Sequence, residues 1–176
     1  MSWCKHHAGA LPKEREMFRK LLVPLDGTDA AARALPYAVE LARRFDAALV
    51  LVDVVPTRDT TLALAADIAS GAMTDPALIA AEVSARETAA RGYITAVAEE
   101  LAAQGVQVAA VVAQGAEGRG VVDVARREGV DLIVMAAHGH GPLGRLVFGN
   151  VTEDVIHHSP APVLVIPPRR GAERST

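Results

Sequence analysis

The chain has 176 residues, 51% of them hydrophobic and 3% aromatic, with a formal net charge of −3 at pH 7 and one cysteine. That length suits a single well-buried core, and neither the charge nor the sparse aromatics provide a footprint for nucleic acid or an anionic membrane. No apolar run approaches a membrane span, no signal core opens the chain, and Cys4 alone forms no internal disulfide, so a cytoplasmic protein is expected.

Residues 1–16 are polar and aperiodic and read as a flexible N-terminal extension before one domain at residues 17–168. Cys4, His6 and His7 lack a fourth ligand at metal-binding spacing. The first strand is expected at residues 21–25, with Pro24 near its end, where a missing ladder donor is tolerated. Asp26-Gly27-Thr28 is the turn, and Thr28 or Asp29 caps a helix running to about Phe45. A second strand at residues 49–55 stops at Pro56. Its Asp53 is an acid in an apolar run and calls for an inward partner or a solvent-facing side chain.

Residues 57–75 are Ala-rich and broken by Ser70-Gly71 and Asp75-Pro76, which reads as a short helix and a mobile connection. A long amphipathic helix at residues 77–104 ends at Gly105, and a third strand follows at residues 106–113. The glycine cluster at residues 115–120 reads as a turn, because Glu117 repels phosphate and the extra glycines weaken a helix start. The next helix is therefore placed at residues 121–128, stopped by Gly129.

After Asp131 comes Leu132-Ile133-Val134-Met135-Ala136-Ala137, a run expected to form a strand buried on both faces. It empties into a loop containing Gly139, Gly141, Gly144 and Gly149, and the loop ends at a helix start. Glycines let backbone N–H groups approach an anion, and a helix N-terminus adds unpaired donors and the positive end of its dipole. Gly139 to Gly144 also fits GxGxxG. That dinucleotide fingerprint belongs to an opening βαβ unit with an acid about 20 positions on, whereas here only one more helix and strand remain. The helix spans residues 151–158, with Asn150 and Glu153 at capping-box spacing. A turn at residues 159–162 leads to the last strand, residues 163–166; Pro167 and Pro168 end it, and residues 169–176 form a C-terminal tail.

Gly139, nine residues, Gly149 and then a polar Asn150 resembles the C-terminal ATP-binding motif of the universal stress protein family: Gly, two residues, Gly, nine residues, Gly, Ser or Thr. Ala136 stands at the first glycine and Asn150 at the hydroxyl, although Asn still donates through its NH₂. The resemblance spans about Phe18 to Pro167. Alternating strands and helices already give an α/β fold with a parallel sheet. The expected arrangement is an open parallel five-stranded sheet of order 3-2-1-4-5 with helices on both faces, Rossmann-like and similar to adenine nucleotide alpha hydrolases. Its ligand crevice lies beyond the strand carboxyl ends, where strand order reverses.

The resemblance implies that Pro24, Leu25 and Asp26 lie by adenine and ribose, and that the Val54 backbone meets the adenine edge. It implies phosphates on His138, Gly139 and His140 and on Gly149, Asn150, Val151 and Thr152, with Met135 and Ala136 at the end of the preceding strand. The implied function is an ATP-binding stress-response sensor or regulator, with Mg²⁺ or Mn²⁺ held through the phosphates. It would present a ligand-dependent surface to an unidentified protein partner and dimerise through the apolar edge Val163–Ile166. A nucleotide-free interaction module of the same fold and a slow ATPase are the alternatives. No Walker lysine follows the loop, and Arg145 is its only nearby cation in sequence. No catalytic residue or protein metal ligand is assigned, and hydrolysis is expected to be weak at most.

Overall fold

A run such as Leu21-Leu22-Val23 has no polar face to turn to water, so the strand containing it must be covered on both sides. In the computed structural model, which describes residues 17–57, 76–137 and 149–168, that strand is β1 (Lys20–Pro24), central in a five-stranded sheet. β2 (Ala48–Val55) and β4 (Leu132–Ala136) flank it, and β3 (Val108–Gln114) and β5 (Val163–Ile166) form the edges. All pairings are parallel and the order is β3-β2-β1-β4-β5, as the sequence leads one to expect.

Alternation along the strands divides the core in two. Leu21, Val23, Leu49, Leu51, Leu132 and Val134 pack under α1 (Asp29–Ala32), α2 (Leu35–Phe45) and α3 (Pro76–Ala103). Leu22, Val50, Val52, Ile133 and Met135 pack under α4 (Glu117–Glu128) and α5 (Asn150–His158). Among the described residues, no helix is long and apolar enough to cross a membrane. The connection expected at residues 57–75 lies almost wholly outside the described residues.

Three boundaries differ from the sequence expectation by more than one residue, for local reasons. The single helix expected up to Phe45 is two, because Pro36 has no N–H to give the Ala32 carbonyl and sits at the start of α2, where that donor is not needed. Strand β3 begins at Val108 because Val106 still closes the end of α3, its N–H reaching the Leu101 carbonyl at 3.1 Å. The glycine cluster is not a separate turn: α4 begins at Glu117 and takes Gly118 and Gly120 into its first turn. Both are buried, because here the helix presses against its neighbours. A Cβ on Gly120 would lie 2.5 Å from Val54 Cγ1, and one on Gly118 would lie 2.5 Å from Asp154 Oδ2.

Gly120→Ala therefore forces α4 away from β2 and should lower stability by about 1–3 kcal/mol in urea unfolding. An unchanged midpoint would mean that the two elements separate without loss of packing.

Candidate functional site

β1 and β4 pair only at Leu21↔Leu132 and Leu22↔Ile133, while on its other side β1 stays in register with β2 from Lys20 to Pro24. The Leu25 N–H continues the β2 side, bonding the Val52 carbonyl at 2.8 Å. The sheet therefore opens between the carboxyl ends of β1 and β4, where the crossovers leave on opposite faces. A cavity of about 440 Å³ occupies the opening.

Pro24, Leu25 and Asp26 line it from the end of β1, Val54 from β2, and Met135 and Ala136 from β4. Gly149, Asn150, Val151 and Thr152 line it from the start of α5. These sequence-derived candidates, far apart in the chain, meet around one space. His138, Gly139 and His140 lie outside the described residues, as does Arg145.

Asp26 is held by the turn it makes. Its Oδ1 accepts from the Thr28 N–H at 2.9 Å and the Thr28 hydroxyl at 2.6 Å, and Thr28 Oγ1 in turn accepts the Ala31 N–H at 3.2 Å as the N-cap of α1. The turn role and the cavity role thus belong to one residue. The capping box expected from Asn150 and Glu153 does not form. Gly149, extended at φ −66° and ψ 159°, is the N-cap of α5, with no side-chain cap bond, and its carbonyl accepts the Glu153 N–H at 3.0 Å. Asn150 therefore sits inside the helix, and the first-turn N–H groups, which have no intrahelical acceptor, open on the cavity.

Sequence reasoning did not assign Ala31, Val52, Asp53, Glu117 or Val121 to the site, yet all five line it. Val52, Val121 and Met135 make an apolar wall. Glu117 and Val121 share a face of α4 at helical spacing, a signal hidden by placing that helix too late. Asp53 meets neither expectation set for it: it is 7% exposed, and the charges acting on it are acids. Burial first, then Asp26 and Glu117, push its carboxyl from 3.8 up to about 6. Burial, followed by Asp26, Asp53 and Asp29, also raises the Tyr93 phenol of α3.

A cation was missed as well. Arg33, at the end of α1, donates from Nη2 to the Ala137 carbonyl at 3.0 Å, from Nη1 to the Pro167 carbonyl at 3.4 Å, and from Nε to the Ala30 carbonyl at 3.1 Å. It ties α1 to the ends of β4 and β5 at the root of the glycine loop. Among the described lining residues there is no lysine, arginine or histidine. Nor, among the described residues, does any group of three His, Cys, Asp or Glu side chains stand close enough to hold a metal ion.

A family model described as the universal stress protein family matches residues 17–167. Universal stress protein YxiE of Bacillus subtilis is 31% identical over 152 residues, covering 85% of this chain and 99% of the relative. Among solved structures, UspA from Lactobacillus plantarum superposes with a TM-score of 0.66 at 26% identity, covering 85% of this chain and 97% of that one. The Methanocaldococcus jannaschii protein MJ0577 gives a TM-score of 0.67 at 25% identity, covering 88% and 99%. Two more distant neighbours of the same fold were solved with nucleotides: one universal stress protein with cAMP (22% identity, TM-score 0.54) and one from Archaeoglobus fulgidus with dAMP (18%, 0.53).

Asp53 gives the site a stability signature. Because the folded state keeps its proton up to about pH 6 while the unfolded state releases it near 3.8, stability falls as pH rises through that window, and the penalty is complete above it. Asp53→Asn should raise Tm relative to the parent above that window, and the difference should vanish below it. A gain independent of pH would show that the carboxylate charge is not its source.

Proposed function

This chain belongs to the universal stress protein family, and we propose that within it the protein is an ATP-binding, homodimeric stress-response sensor or regulator of the cytoplasm that acts by nucleotide occupancy. The observation that carries the reading is the meeting, in one cavity, of the α5 N-terminus, an apolar wall and the Asp26 carboxylate. The base lies against Val52, Val121 and Met135 with its edge on the Val54 backbone, and ribose hydroxyls donate to Asp26. Phosphates take the N–H groups at Gly149 to Thr152 and, from the loop, those at His138 to His140.

The residues fit such a ligand. About 440 Å³ is within the range of nucleotide-sized pockets, and anion donors stand across from hydroxyl acceptors. Bound Mg²⁺ or Mn²⁺ would neutralise phosphate charge facing the three carboxylates, held by the phosphates and water. The cAMP and dAMP complexes of distant neighbours support an adenine nucleotide in this fold. Rapid turnover is not supported, since the described lining has no lysine or arginine to stabilise charge at a transferring phosphoryl group.

The buried Ala136 methyl and the three acids favour one competitor, the nucleotide-free interaction module. Calorimetry separates the two. ATP should bind the parent and lose most of its affinity in Gly149→Val, whose side chain enters the anion end, with steady-state hydrolysis slow in both. Equal affinity in the two would move the phosphate site elsewhere, no binding by the parent would favour the module, and rapid hydrolysis abolished by Gly149→Val would make the protein an ATPase.

Dimerisation is proposed through β5. This strand ends the sheet, with Leu164 37% exposed and Val163 and Val165 half-buried, an apolar edge able to pair with a second copy. Light scattering at micromolar concentration should give twice the chain mass; a monomer would remove this edge as the interface.

A further inference from the structure

A second cavity, of about 460 Å³, lies beside the first, between the end of β2 and the middle of α3. The two share Asp26, Asp53, Val54 and Glu117 as a common wall. Strand alternation decides which side Asp53 serves. Leu49 and Leu51 lie in the core under α3, whereas Val50, Val52 and Val54 lie in the core under α4, so the Asp53 side chain leaves β2 on the α3 side. It is more than nine-tenths buried, lines the second cavity, and receives no hydrogen bond from the described residues.

Among the described residues, the other titratable groups lining this cavity are Asp26, Glu117, Arg86 and Tyr93. Asp26 and Glu117 bring negative charge from the end of β1 and the start of α4. From α3 come the Tyr93 phenol and Arg86, but the Arg86 Nη2 is drawn to Glu82 Oε1, 3.3 Å away on its own helix. Three carboxylates against one paired arginine make the described lining repel an anion. A bare metal ion fits no better, since the described residues offer no cluster tight enough to coordinate one. What fits is positive charge spread along an apolar spacer. Each ammonium group brings three donors for carboxylates, while methylenes can lie on Ala89, Ala90 and Pro56.

We propose that this second cavity binds a small aliphatic diamine or polyamine, with its ammonium groups on Asp53, Glu117 and Asp26 and its methylene chain along α3. Binding here does not require a nucleotide in the first cavity, although the two cavities share a wall.

The test is calorimetry of the full chain without nucleotide, using 1,4-diaminobutane and spermidine as probes. Saturable binding of one ligand per chain is expected, weakened about tenfold or more by Asp53→Asn and by Glu117→Gln. Ala89→Trp, which fills the cavity from an exposed helix position, should abolish it. Gly149→Val should leave it intact, so amine binding and the nucleotide reading fail separately. Thermal melting of each variant confirms that the fold is kept. No saturable binding, equal affinity in the parent and Asp53→Asn, or displacement of the diamine by an equal concentration of Mg²⁺ would each overturn the proposal.

Discussion

The parting of β1 from β4 is the constraint on which the rest of the molecule depends. Parallel strands need crossover helices, and right-handed crossovers put the helices after β1 on one face of the sheet and those after β3 and β4 on the other. At the point where these two directions of growth meet, the helices of the described residues line the crevice only through Ala31 of α1 and the starts of α4 and α5. The pairing of β1 with β4 at only two positions leaves the carboxyl ends of the central strands facing an open crevice. Fully apolar strands make the arrangement stable, since Leu21, Leu22, Val23, Ile133 and Val134 are completely buried. The crevice is thus a consequence of topology before any residue in it has a chemical role.

What fills the crevice is set by how closely the second helix layer approaches. Gly118 and Gly120 let α4 come down on Asp154 and Val54 at distances that any side chain would prevent. That approach brings Glu117 and Val121 to the cavity and keeps α4 beside α5. Gly149 acts at the other end as an N-cap without a side chain, so nothing of its own covers the first-turn donors of α5. Arg33 fixes the remaining boundary by holding the carbonyls where β4 and β5 end.

The sequence was legible where one physical rule dominated. Buried parallel strands need continuous apolar runs, so the five strands and their order followed from pattern and handedness, and β5 was located to the residue. The cavity residues on β1, β4 and α5 followed from the glycine loop and its family resemblance. The sequence was misleading where two rules competed. Glycines argue against a helix start by propensity, but close packing, of Gly118 on α5 and of Gly120 on β2, outweighed a cost of about 1 kcal/mol each. Asn150 is a better N-cap than Gly149 by side-chain chemistry, yet the extended backbone at Gly149 moved the helix start. Arg33 carried no local signal, because its partners, Ala137 and Pro167, lie more than a hundred residues away in sequence.

Asp53 is the residue at which local consistency fails, and such failures mark places where something other than folding sets the choice. An acid buried among acids destabilises the apo fold at neutral pH, and Asn in the same space would remove that cost. The donors of α5 do not relieve it, since Asp53 leaves β2 on the opposite side of the sheet. The two ends of the site thus carry opposite potentials, positive at the helix start and negative at the shared wall. A polyphosphate alone would satisfy the first end and aggravate the second. A positive group against Asp53 and Glu117 would do the reverse, and with both present each would lower the electrostatic cost of the other. By linkage, that coupling must be mutual, so occupancy of the nucleotide cavity would report the cation as well as the nucleotide.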